Sequence, residues 1–174
     1  MRPTKSSTIV AASVLLASLT ALTGCGTEAA DPESTAADTV TIEDAWARSS
    51  DSGMSSAFGV LSNDGERDIT VVAARSSASD MTQLHETTQN TAGEMVMQPV
   101  EEGLVVPAGG ELLFEPGENH IMMMQLADPL EAGEEVTITL TFDDESTLEF
   151  TAPAKDFGGG DESYDGSGTD DGEQ

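Results

Sequence analysis

Apolar and polar residues alternate with period two through most of the stretch from Val40 to Thr151. The pattern is clearest in Val136-Thr137-Ile138-Thr139-Leu140-Thr141-Phe142, where apolar side chains and threonines take opposite faces of an extended backbone. Shorter runs of the same kind span Val40–Trp46, Ala57–Leu61, Ile69–Ala73, Met81–His85, Glu94–Gln98, Glu111–Phe114, His120–Leu126 and Thr147–Thr151. Turn chemistry separates them: Asn63-Asp64-Gly65, Pro107-Ala108-Gly109-Gly110, Glu115-Pro116-Gly117-Glu118-Asn119, Asp128-Pro129 and Asp143-Asp144. Many short strands with no long amphipathic helix predict an all-β fold, a sandwich or barrel. Trp46, Phe58, Val60, Val71, Leu113, Ile138, Leu140, Phe142 and Phe150 are the expected core.

The two ends lack this alternation. Arg2 and Lys5 precede an apolar stretch from Ile9 to Leu22, shorter than the about 20 residues of a spanning helix and patterned like an export signal. The segment Leu22-Thr23-Gly24-Cys25 resembles the bacterial lipobox, in which cleavage before the cysteine leaves that residue lipidated. The resemblance implies an extracytoplasmic protein, anchored by acyl chains to the outer face of the cell membrane. Each buried methylene contributes about 0.8 kcal/mol, so more than one chain makes a durable anchor. The expected organisation is a signal peptide over 1–24, a flexible tether over 25–39, a folded domain over 40–154 and a disordered Gly/Asp-rich acidic tail over 155–174.

Composition narrows the function. Only 6 Lys and Arg stand against 33 Asp and Glu, a formal net charge of -27 in 174 residues. Phosphate neutralisation by basic residues dominates nucleic-acid affinity, so no DNA or RNA partner is expected, and a polybasic membrane patch is excluded. A single cysteine permits no internal disulfide, Cys-x-x-Cys redox pair, cysteine-rich zinc knot or iron-sulfur cluster. It also excludes a blue-copper electron-transfer site if the anchor occupies Cys25. No Gly-x-Ser-x-Gly elbow is present, and Asp143-Asp144-Glu145 reads as a solvated turn, so no enzyme activity is expected. Exposed charges are screened beyond about 8 Å, so acidity does not replace a coordination site.

The candidate chemistry lies in histidine and methionine. His85 falls in Gln83-Leu84-His85-Glu86, Met95 and Met97 in Glu94-Met95-Val96-Met97-Gln98, and His120, Met122 and Met124 in Asn119-His120-Ile121-Met122-Met123-Met124. On strands, His120, Met122 and Met124 share one face, Met95 and Met97 share one face, and His85 lies opposite Leu84. Thioethers favour Cu(I), imidazole suits copper generally, and neither forms a disulfide outside the cytoplasm. The histidine protons would make affinity fall below about pH 6. Methionine is also a common core filler, and a lone strand histidine is more often structural than ligating. The pattern by itself leaves metal binding and packing as alternatives.

Asp44-Ala45-Trp46-Ala47-Arg48, Gln83-Leu84-His85-Glu86, Met95-Val96-Met97-Gln98-Pro99-Val100, Val106-Pro107-Ala108-Gly109-Gly110 and Glu115 through Met124 together resemble the PCuAC family of extracytoplasmic copper chaperones. The resemblance continues through Asp128-Pro129-Leu130, Gly133 and Thr139 to Phe142. It implies a cupredoxin-like β-barrel with a Cu(I) site formed by His85, Met97, His120 and Met122. The interval from Met97 to His120 is one residue longer than the commonest family form, which leaves Met95 as an alternative ligand. Glu86 stands where the family often has methionine, and Met124 lies on the face that could assist. The family further implies a monomer that delivers copper to the CuA centre of cytochrome c oxidase subunit II, sometimes alongside a Sco-type thiol protein. Copper storage, or a non-catalytic methionine-rich surface lipoprotein, is the alternative.

Overall fold

The structure, a computed structural model, describes residues 34–51 and 53–158, and the backbone of Ser163 and Tyr164. The expected signal peptide, lipidation at Cys25 and most of the acidic tail lie outside the described residues.

The strands are β1 (Val40–Arg48), β2 (Met54–Asn63), β3 (Ile69–Ser76), β4 (Ser79–Gln89), β5 (Met95–Pro99) and β6 (Leu104–Val106). They continue as β7 (Glu111–Phe114), β8 (His120–Leu126), β9 (Glu135–Phe142), β10 (Thr147–Lys155) and β11 (Ser163–Tyr164), with one helical turn, α1 (Ala36–Thr39), before β1. The hydrogen-bonded order is β11-β5-β4-β8-β2-β1-β10-β9-β3-β6, with β7 also on β2. The fold is all-β, as the alternation predicts. A short parallel pairing of β1 with β10 joins a β5-β4-β8-β2-β1 half to a β10-β9-β3-β6 half. Ala57, Leu61, Leu84, Ile121 and Met123 from the first half share one buried cluster with Val71, Val136, Ile138, Leu140 and Phe142 from the second.

The strand β9 buries every second residue, as expected. Val71, Ile138, Leu140 and Phe142 are core, and Phe150 packs against it partly buried. Phe58 is buried as expected, at 6% exposure, but it lies on the opposite face of the first half together with three expected core residues that are not buried: Trp46, Val60 and Leu113. Val40 and Ile42 pair with Asn63 and Leu61, but the register shifts between Glu43 and Trp46, where Asp44 adopts φ 51°. This bulge inserts one residue, reversing the phase, so Ala47 turns inward and Trp46 faces outward opposite Phe58. Val60 follows Phe58 on that face and pairs with Leu113. Leu113 is 44% exposed whereas Phe114 is 1% exposed. In Glu111-Leu112-Leu113-Phe114, apolar residues stand on both sides, so only pairing with β2 sets the phase. Phe114→Ala is therefore expected to cost about 3–5 kcal/mol, and Leu113→Ala less than about 1 kcal/mol. Urea midpoints of the two variants check the difference.

Three further departures have local causes. The strand β6 is too short for alternation to register, lying between Gly103 and Pro107. Gly103 has φ 82°, and a Cβ there would sit 2.6 Å from the Val71 carbonyl oxygen, so only glycine allows this approach. The folded unit also begins before residue 40. The Ala36 N–H donates to the Asp144 carboxylate at 2.6 Å, the Ala37 N–H donates to Ser146 Oγ at 3.1 Å, and Ala36 is buried. Hydrogen bonds from Ser146 and then from Ala36 hold the Asp144 carboxyl below its usual range. At the other end, β10 runs to Lys155, Phe157 packs 5.4 Å from Trp46, and β11 pairs with β5.

Candidate metal centre

The strands β7 and β8 pair with the same edge of β2 in succession. Between them the chain leaves the sheet through Glu115–Asn119, pinched by a Glu115 N–H to Asn119 carbonyl bond of 2.9 Å. The excursion returns the chain at His120, the first residue of β8. There His120 is the direct cross-strand partner of His85 on β4. The ring centroids are 5.6 Å apart at 52°.

Cross-strand partners share a face, so the register determines which donors meet. Met122 pairs with Gln83 on β4 and Ser56 on β2, one rung beyond the histidine pair. On the other side His85 pairs with Pro99 of β5, and Met97 pairs with Thr87 one rung further. His85, His120, Met122 and Met97 thus occupy one face, with Met122 and Met97 on opposite flanks of the histidines. Met95 is on the same face but pairs with Gln89, a rung beyond Met97, and is 46% exposed. Rungs on one face are about 7 Å apart, so Met97 is better placed than Met95 to reach the histidines. Glu86 faces the other way and accepts a hydrogen bond from Gln98 Nε2 at 2.9 Å.

The histidine pair is buried, His85 at 0% and His120 at 2% exposure. His120 Nδ1 lies 3.0 Å from the Glu118 carbonyl oxygen. A carbonyl only accepts, so in the neutral ring Nδ1 carries the proton and Nε2 keeps its lone pair. Such a bond fixes the ring as partners of metal-ligating histidines do. His85 Nε2 lies 3.1 Å from Gln83 Oε1, the residue two positions back on the same face. Burial, and then the facing His120, lower the His85 pKa from 6.5 to about 4. Proton competition at His85 therefore begins well below the pH of about 6 expected from an unperturbed ring. Ser56 Oγ donates to Met122 Sδ at 3.5 Å.

An aromatic row flanks the histidines. Phe58 lies 6.4 Å from the His120 ring, Trp46 lies 4.6 Å from Phe58, and Lys155 Nζ sits 5.9 Å above the Trp46 ring. Gln83 was available to sequence reasoning as a same-face neighbour of His85. Ser56 and the aromatic row carried no such signal, because the register of β2 against β8 and the β1 bulge are tertiary facts. Among the described residues, no group of three or more His, Cys, Asp or Glu is placed to hold a metal ion. The thioethers of Met122 and Met97 are the soft donors on the same face as the histidines.

A family model described as "Putative lipoprotein LpqE-like" matches residues 40–154. The chain belongs to the LpqE-like family. A relative from Leifsonia xyli subsp. xyli (strain CTCB07), described as "Putative lipoprotein Lxx21020", is 41% identical over 166 residues, covering 94% of this chain and 99% of the relative. The apo PCuAC domain from PmoF1 has the same fold, with a TM-score of 0.57 at 18% identity over 68% of this chain and 94% of that one. The solution structure of apo-DR1885 from Deinococcus radiodurans gives 0.54 at 26% identity, covering 92% of this chain and 99% of that one. Its CuI form gives 0.52 at 30% identity, covering 68% and 81%. In this LpqE-like chain the matched segment runs from the first residue of β1 almost to the end of β10, so it contains both histidines, Met97 and Met122.

Proposed function

We propose that the protein is an extracytoplasmic copper carrier that holds Cu(I) through His85, His120, Met122 and Met97 and passes it to a copper-accepting protein. The observation that carries this reading is the direct pairing of His85 with His120, with thioethers on both flanks of the same face. Two imidazoles and two thioethers suit a soft monovalent ion, and none is a thiolate exposed to oxidation. The Glu118 carbonyl orients the His120 ring through Nδ1. The 30% identical relative solved as CuI-DR1885 supports the choice of metal.

The Leu22-Thr23-Gly24-Cys25 segment and the description of the Leifsonia relative as a lipoprotein support attachment through Cys25. A carrier held at the outer face of the membrane would meet membrane-bound acceptors there, the CuA centre of cytochrome c oxidase subunit II being the one proposed.

Two measurements test the reading. X-ray absorption of the Cu(I)-loaded protein is expected to show both nitrogen and sulfur scatterers; absence of sulfur refutes the methionine assignment. Copper transfer to an apo CuA domain is expected to be faster, or more selective, from the loaded protein than from free Cu(I) at equal concentration. Transfer no better than from free ion favours storage over delivery.

A further inference from the structure

Besides Met95, the same sheet face carries three methionines that the histidine-centred site does not use. Met54 on β2 pairs with Met124 on β8, and Met124 pairs with Met81 on β4. They form one continuous rung across three adjacent strands, on the far side of Met122 from the histidines. Directly opposed residues have Cβ atoms about 4.5–5.5 Å apart, and each methionine has a flexible, polarizable thioether to turn toward a common point. Burial does not account for the row. Met124 is 7% exposed, but Met54 and Met81 are each 42% exposed, so two of the three remain largely outside any core. Met124 is absent from the hydrophobic cluster that contains its neighbour Met123. The Ser79 hydroxyl donates to the Met124 carbonyl, fixing β8 at this rung.

We propose that Met54, Met81 and Met124 form a second, all-thioether site for a soft monovalent cation, Cu(I). Three neutral sulfurs on consecutive strands offer soft donors to that ion and nothing suited to Mg, Ca or Zn. No ligand has to lose a proton, so binding there is independent of pH across the range where histidine titrates. Two donors are exposed, which opens the site to solution and to a docking acceptor. Met122 lies one rung from Met124 and one from His120, about 7 Å along the strand from each, so it links the two sites. The inference does not depend on the histidines being ligands.

The test is an anaerobic Cu(I) titration of the purified protein against a chromophoric chelator. Wild type is expected to bind two equivalents. The Met54→Leu, Met81→Leu double variant should lose one equivalent and keep the one with nitrogen and sulfur scatterers. The His85→Ala, His120→Ala double variant should keep one equivalent, with sulfur-only scattering and affinity unchanged from pH 7.5 to 5. The leucine substitutions conserve volume at exposed positions, so they leave the fold intact and decide the matter even if the histidine variant unfolds. A single wild-type equivalent that is unaffected by the leucine pair overturns the second site and leaves the proposed carrier standing. A single all-sulfur equivalent that the leucine pair abolishes establishes the methionine site and overturns the histidine-centred reading.

Discussion

His120→Ala is expected to weaken binding at the mixed nitrogen and sulfur site by about 100-fold or more, above the 10–100-fold typical of residues that only orient a ligand. His120 is the buried cross-strand partner of His85, and its ring is already oriented by the Glu118 carbonyl. Alanine removes the donor and leaves His85 facing a void. Met122→Leu should act in the same direction, because it keeps the volume and removes only the sulfur. Met123 provides the contrast. It is 0% exposed and points into the main cluster with Ile121, so Met123→Ala is expected to cost about 2–5 kcal/mol of stability. Affinity of the molecules that remain folded should be unchanged. Chelator competition and denaturant unfolding on the three variants read the two quantities separately. A Met123 variant that binds worse than the Met122 variant would mean the donors face the other way.

Acid is expected to destabilise the metal-free protein through His85. Its folded-state pKa lies near 4 against an ordinary value of 6.5, because burial and the facing His120 disfavour the charged ring. Above pH 6.5 the ring is neutral in both states and costs nothing. As the pH falls through this window the unfolded chain takes up a proton that the folded chain does not, so stability declines. The loss reaches about 3 kcal/mol near pH 4, at 1.36 kcal/mol per pKa unit. Many carboxylates begin to titrate at the lower end of this window, so the informative quantity is a difference. Urea unfolding of wild type and His85→Gln from pH 7 to 4.5 should show wild type losing more stability than the variant as pH falls. Parallel pH profiles would show that the folded His85 titrates near its ordinary value. Bound Cu(I) at His85 should flatten the wild-type profile, because the ion holds the ring unprotonated.

The strands with clean alternation were legible at once. Val136 through Phe142 needs only the period-two geometry of the backbone, and its buried residues are those the pattern names. Pairing of His120, Met122 and Met124 on one face was readable for the same reason, since every second residue of a strand shares a side. Alternation failed where the backbone departed from regularity or where both faces were apolar. At Asp44 a single inserted residue turns Trp46 away from the core that Val40 and Ile42 help to form. In β8 the residues from His120 to Met124 are all buried, so hydrophobicity alone could not say which methionines face the core and which face the donors.

The sequence by itself determined the fold class, the spacing that puts donors on one side of each strand, and a composition with a single cysteine and 6 Lys and Arg against 33 Asp and Glu. These follow from local backbone geometry and from composition, neither of which requires knowing what lies beside what. Tertiary structure decided which strands are neighbours and in what register. That register sets His85 against His120, puts Met97 one rung nearer the histidines than Met95, and gathers Met54, Met81 and Met124 into one rung. Cross-strand pairing joins residues tens of positions apart through hydrogen bonds that are the same for every side chain, so no local pattern could encode those meetings.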